Sequence, residues 1–130
     1  MKILVGFDGT NMAMAAVALA EQHARVFGAT IILAHSMAGG PEVPRRDFEI
    51  AEKSLEHEKS VLLDKNLPCE TIMSVRGLEA GEDLVQLAGE KKVDEVIIGL
   101  RRRSKVGKII FGSTAQYVVL NAPCPVVTVK

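Results

Sequence analysis

Short apolar runs alternate along this chain with longer stretches in which apolar positions recur every three or four residues. Residues 3–7, ILVGF, are apolar apart from Gly6, the pattern of a strand covered on both faces. Thr10 or Asn11 can cap a following helix, and Gly28 can stop it. Ala13, Ala16, Val17, Ala20, Ala24 and Phe27 fall on one side of that helix, and the small alanine face predicts close approach to a sheet. Residues 30–34 predict a second buried strand, and Gly39-Gly40-Pro41 with Pro44 predicts a loop. Over 47–65 the chain reads as a charged helix, with Phe48, Leu55 and Leu62, and Ala51 between them, on one apolar side. Pro68 ends it. Residues 70–75 predict a strand interrupted by Glu70 and Ser74 and closed by Gly77. An amphipathic helix follows over 79–90, with Leu84, Leu87 and Ala88 inward. Residues 94–100 contain Val96-Ile97-Ile98, the clearest buried strand. A short helix over 113–121 and a last strand over 125–129, entered through Pro123 and Pro125, complete the pattern.

Strands and helices therefore alternate without repeat or linker. That order predicts an α/β fold: a single five-stranded parallel sheet with helices on both faces, Rossmann-like, in one domain spanning residues 1–130. Ligands of such sheets bind beyond the carboxyl ends of the strands, where the strand order reverses. The positions so placed are Asp8 after the first strand, His35 and Ser36 after the second, Arg76 and Gly77 after the third, and Gly99 after the fourth.

Composition narrows the partners. Of 130 residues, 48% are hydrophobic and only 4% aromatic, so the core is built from Val, Ile, Leu, Ala and Met. Formal net charge is zero, which argues against a general binder of nucleic acid or anionic membrane, although a local basic patch survives that objection. Cys69 and Cys124 have neither metal-ligand spacing nor a C-x-x-C pairing and read as reduced, mostly buried thiols. No apolar stretch approaches the roughly 20 residues of a membrane helix, and no signal peptide is visible, so a cytoplasmic location is expected.

The segment GLRRRSKVGKIIFGST, residues 99–114, carries the chemistry. A glycine follows the fourth strand, Arg101, Arg102, Arg103, Lys105 and Lys108 lie beyond it, and Gly112-Ser113 opens a helix. Helix starts offer unpaired N–H groups and a positive dipole end, so the segment reads as an anion site. It is not a Walker loop, because position 102 is Arg and Gly107-Lys108 is followed by Ile109. The G-x-G-x-x-G fingerprint is absent, and Arg76 stands where a phosphate-receiver domain needs an acidic residue. His23 and His57 are expected on helix surfaces and His35 as a packed strand-end residue. Asp8 has two readings, as a ligand-facing carboxylate or as a turn residue at a helix start.

The runs ILVGFDGT, IILAHS, GEDLVQLAGEKKVDEVIIG and FGSTAQYVVLNAPCPVVTVK together resemble the universal stress protein family, over nearly the whole chain except the loop near residues 39–46. Nucleotide-binding members carry the pattern G-x2-G-x9-G-S/T. Here Gly99, Gly112 and Ser113 match it, and Arg102 replaces the second glycine. The resemblance implies an adenine-nucleotide site for ATP or AMP. Asp8 would meet adenine and ribose, and the backbone at Ser36 would meet adenine. Gly99 would meet ribose and phosphate, and Gly112, Ser113 and Thr114 would hold the phosphates. Arg102 either grips phosphate through its guanidinium or fills the room that glycine leaves. Asp8 could also hold Mg²⁺, as a single carboxylate. The resemblance further implies a homodimer through the C-terminal strand.

The resemblance thus implies a module that acts in stress response or signalling by binding nucleotide. A slow ATPase would need a positioned nucleophile, and none is identifiable. A nucleotide-free homodimeric interaction protein would rest on the apolar last strand. Nucleic acid is not expected as a partner, because the basic loop lacks interleaved aromatics.

Overall fold

The computed structural model describes residues 1–100 and 111–130. Five strands, β1 (Lys2–Gly6), β2 (Thr30–Ser36), β3 (Cys69–Ser74), β4 (Glu95–Gly99) and β5 (Val126–Val129), form one sheet in the order β3-β2-β1-β4-β5. Every pairing is parallel, as the alternation of elements requires. Among the described residues, four α-helices connect the strands: α1 (Asn11–Phe27), α2 (Arg45–Asp64), α3 (Ala80–Glu90) and α4 (Ser113–Asn121).

Alternate side chains of each strand feed two cores. Ile3, Val5, Ile31, Leu33 and Ile97 pack with the alanine stripe of α1 and with Leu55 and Leu62 of α2. Leu4, Ile32, Val96 and Ile98 pack on the other face with Leu84 and Leu87 of α3 and Ala115 and Val118 of α4. The central strands are covered on both faces, which is why their sequences read as continuous apolar runs.

Local chemistry sets the ends of the helices. The Thr10 side chain accepts the Ala13 N–H, capping α1, and Gly28 closes that helix at φ 66°. Either Thr10 or Asn11 fits the sequence pattern; Thr10 is the cap. α2 begins two residues earlier than its pattern predicts, directly after Pro44, and the turn that ends it places Asn66 at φ 62°, two residues before Pro68. β2 extends through Ser36 rather than stopping at Ala34, because residues 34, 35 and 36 pair with residues 72, 73 and 74 of β3. The loop over 39–44 contains one 3₁₀ turn, Gly40–Glu42.

β1 lies between β2 and β4, so the chain runs outward from β1 to β2 and β3 and then crosses back to β4. That reversal opens a crevice beyond the carboxyl ends of β1 and β4. Among the described residues, no helix is long and apolar enough to cross a membrane.

Candidate functional site: a cleft at the strand reversal

A cavity of about 540 Å³ occupies this crevice. Its apolar wall comes from Phe7, Ala13, Ala34, Leu84, Ile98 and Leu100, and its polar rim from Asp8, Asn11, His35, Ser36 and Thr114. The volume falls within the roughly 300–1,000 Å³ of small-molecule sites. Asp8, Ser36, Gly99, Gly112 and Thr114 all line it, brought together from four separate parts of the chain. Ser113 is not among its lining residues and is exposed. Arg102, with the other basic residues over 101–110, lies outside the described residues.

Of the helix starts that border the cleft, those of α1 and α4 differ in charge. At α1, Asp8 Oδ1 accepts both the backbone N–H of Thr10 (3.0 Å) and its hydroxyl (2.7 Å), while Thr10 caps the helix. The second reading of Asp8, a turn residue at a helix start, thus describes one of its two oxygens. At α4, Gly112 makes no side-chain cap and the first turn holds no acidic residue. The first intrahelical acceptor there is the Gly112 carbonyl, bonded by Gln116 N at 3.0 Å, so the preceding amides have no partner within the helix. An anion in this cleft is repelled by Asp8 and drawn to the start of α4.

Gly99 is required for a reason that the motif does not supply. A Cβ there would lie 2.5 Å from the carbonyl oxygen of Met12 and 2.8 Å from its carbonyl carbon. The end of β4 therefore touches the first turn of α1 backbone to backbone, and only glycine permits this.

His35 lies on the cleft wall, half-buried. Burial lowers its pKa below the usual histidine value, and the Asp8 carboxylate offsets only part of that, so the imidazole is neutral at pH 7. Among the described lining residues, Asp8 and His35 are the ones with titratable side chains. No group of three or more His, Cys, Asp or Glu gathers among the described residues where it could hold a metal ion.

Arg76 does not line the cleft. Its Nε and Nη2 reach Asp83 Oδ1 at 3.0 and 2.6 Å, and its Nη1 reaches Glu90 at 2.6 Å. Asp83 is 1% exposed, and its Oδ2 accepts the Ser36 hydroxyl at 2.6 Å. Burial by itself would raise the Asp83 pKa. Hydrogen bonds from Ser36, Ser74 and Arg76, with the charge of Arg76, more than offset that and hold the carboxyl below the ordinary range. Sequence reasoning missed this network. Its signal was a carboxylate within the inward stripe of α3, directly before Leu84, which demands a buried partner.

His23 is likewise more than a surface residue. It bonds Glu95 at 2.7 Å, tying α1 to β4, with Phe27 edge-on to its ring. His57 is exposed, as its pattern predicts. Neither thiol is in a disulfide; burial pushes Cys69 up to about 11, which leaves it unreactive.

Comparison with known proteins agrees with this architecture. A family model described as the universal stress protein family matches residues 1–130. A Thermus aquaticus protein, described as a universal stress protein in the QAH/OAS sulfhydrylase 3' region, is 31% identical, with 98% of this chain and 97% of that protein covered. A solved universal stress protein from Archaeoglobus fulgidus superimposes with a TM-score of 0.90 at 34% identity, covering 100% of this chain and 98% of that one. A second Archaeoglobus fulgidus structure, of the universal stress protein in complex with dAMP, gives a TM-score of 0.85 at 30% identity over 100% of this chain and 98% of that chain. With the strand order, the cleft and these likenesses in agreement, the chain belongs to the universal stress protein family.

Proposed function

We propose that this protein binds an adenine nucleotide, ATP or AMP, in the cleft between β1 and β4 and acts in stress response or signalling by binding rather than turnover. The observation that carries this reading is the charge asymmetry of the cleft: a carboxylate at the start of α1, and a start of α4 that, among the described residues, has neither a side-chain cap nor an acidic residue in its first turn. Phosphate belongs at the second and ribose hydroxyls at the first, where Asp8 can accept their hydrogen bonds. The backbone at Ser36 is assigned to the base and Gly99 to ribose and phosphate, since both residues line the cleft. Gly112, Ser113 and Thr114 supply amides to the phosphates. The A. fulgidus relative with dAMP supports an adenine nucleotide as the class of ligand. Mg²⁺ would arrive with the phosphates of ATP rather than in a protein cage.

Arg102 is assigned to the phosphates as a charged donor. A charge-assisted hydrogen bond contributes about 1.5–3 kcal/mol, so Arg102→Ala is expected to weaken ATP binding about tenfold or more. Calorimetry with ATP, ADP and AMP tests the whole reading. Saturable binding that is weakened by Asp8→Ala supports it, and no heat at high micromolar protein removes it. Phosphate release no faster than in buffer is expected. Release that disappears in Asp8→Ala would establish a slow ATPase instead.

The module is proposed to be a homodimer. β5 is the outermost strand beside β4, and its four residues are all partly exposed. The Pro125 and Val129 carbonyls turn inward to β4, so alternation places the Thr128 N–H on the outer edge. Thr128→Pro blocks that edge without removing a bond to β4. Sedimentation of this variant should give monomer where the wild type gives dimer; an unchanged dimer excludes this edge as the interface.

A further inference from the structure

The network buried beneath α3 ends on a residue of the cleft. Ser36 is the last residue of β2 and lines the cavity, while its hydroxyl donates to Asp83 Oδ2 on the α3 face of the sheet. Ser74, its partner across the β2–β3 ladder, is buried and helps to hold the Asp83 carboxyl below the ordinary range. The next ladder bond, Met37 N to Ser74 O at 2.8 Å, is the last before the chain turns into the loop. One carboxylate therefore joins the end of β2, through Ser36, and the turn after β3, through Arg76, to the first turns of α3. The same stretch of α3 presents Ala80 and Leu84 to the cleft. Arg76 fixes that carboxylate from below with two of its nitrogens and is itself steadied by Glu90.

Packing alone does not call for this arrangement. Apolar side chains can fill such a space at equal or lower free-energy cost than a buried ion pair. What the carboxylate adds is direction. Its hydrogen bonds fix the rotation of the Ser36 side chain and, through it, the peptide groups that follow. A backbone edge that reads a base by hydrogen bonds must be held to within about 0.5 Å.

We propose that Asp83 is a positioning residue for the nucleobase: it holds the backbone edge at Ser36 and Met37 from outside the cleft and so governs how tightly a purine is gripped without touching it. This rests on the nucleotide-binding reading above. Arg76 serves the same end by holding Asp83, and Glu90 lies one step further out.

The test pairs nucleotide affinity with the pattern of amide chemical-shift changes on AMP binding, measured for wild type, Asp83→Asn, Ser36→Ala and Glu49→Gln. In Asp83→Asn and Ser36→Ala the AMP dissociation constant should rise about tenfold. At AMP saturation, the shifts at Thr114 and Ala115 should persist while those at Met37 and Ala38 shrink. Glu49→Gln, in the exposed Arg45–Glu49 pair of α2, should leave both affinity and pattern unchanged. Unaltered AMP affinity in the first two variants overturns the proposal, as does a loss in which all the shifts diminish together. If Asp83→Asn does not fold, Ser36→Ala decides, since it leaves the Arg76–Asp83 pair in place. A wild type that shows no AMP binding removes the nucleotide reading and this inference together. A wild type that binds, with indifferent variants, removes only the positioning role.

Discussion

At the scale of single residues, burial and closeness decide what each group can do. His35 is neutral in the folded chain because burial depresses its pKa more than Asp8 raises it. The unfolded chain takes up a proton at the ordinary value of 6.5, so the folded state loses stability as pH falls from 6.5 toward the lowered folded value. Urea midpoints at about pH 7.5 and 5.5 should show that loss in wild type and a smaller one in His35→Gln. An equal loss in both would mean that His35 is not the group responsible. Gly99 is constrained by distance. Gly99→Ala forces a methyl group against the Met12 carbonyl and should cost about 1–3 kcal/mol in denaturant unfolding, as overpacking does. It should also displace the first turn of α1 and with it Asp8, weakening nucleotide. A variant of wild-type stability would mean that the contact relaxes freely.

At the scale of elements, caps and ties orient the helices on the sheet. α1 carries a polar start and an alanine side, Ala13, Ala16, Ala20 and Ala24, that fits flush over the strands. Thr10→Ala removes its cap and should cost about 1 kcal/mol by thermal or urea unfolding. Little or no change would mean that water or Asp8 replaces the hydroxyl. α3 is held differently, through Asp83. Because the folded-state pKa of Asp83 is depressed, its stabilising contribution is present at neutral pH and is lost as pH falls below the ordinary carboxylate value of 3.8 and through the folded one. Asp83→Asn should therefore be less stable than wild type at pH 7, with a shallower acid limb. Parallel acid limbs in the two proteins would assign that loss to other carboxylates.

For the whole molecule, the reversal of strand order creates the site. β1 and β4 are neighbours although they are far apart in sequence, and their carboxyl ends bring Asp8, Gly99 and the start of α4 around one cavity. The same topology leaves β5 at the edge. The proposed nucleotide site and the proposed dimer edge thus lie on different parts of one sheet, joined through β4. Nucleotide that binds the folded chain should raise its melting temperature with ligand concentration, by about 2.7 kcal/mol of stability at one hundred times the dissociation constant.

Much of this was written in the local pattern. The five apolar runs, the Thr10 and Gly28 signals around α1, and the last strand after its prolines are all short-range features, set by side-chain period and backbone preference. The family resemblance also named Asp8, Ser36, Gly99, Gly112 and Thr114, which share one cavity, Ser113, which does not line it, and Arg102, which lies outside the described residues. What no window of sequence contained was contact between distant residues. Asp83 reads as one more charge on an amphipathic helix until folding places it beneath Ser36, 47 positions earlier in the chain. His23 reads as a surface histidine until β4 sets Glu95 beside it, 72 positions along. Periodicity is a property of neighbours along the chain, so sequence determined the elements and their order. Partners for buried charge are chosen only when strands align, so the tertiary structure alone decided which polar groups meet, and that Gly99 must be bare for α1 to lie against β4.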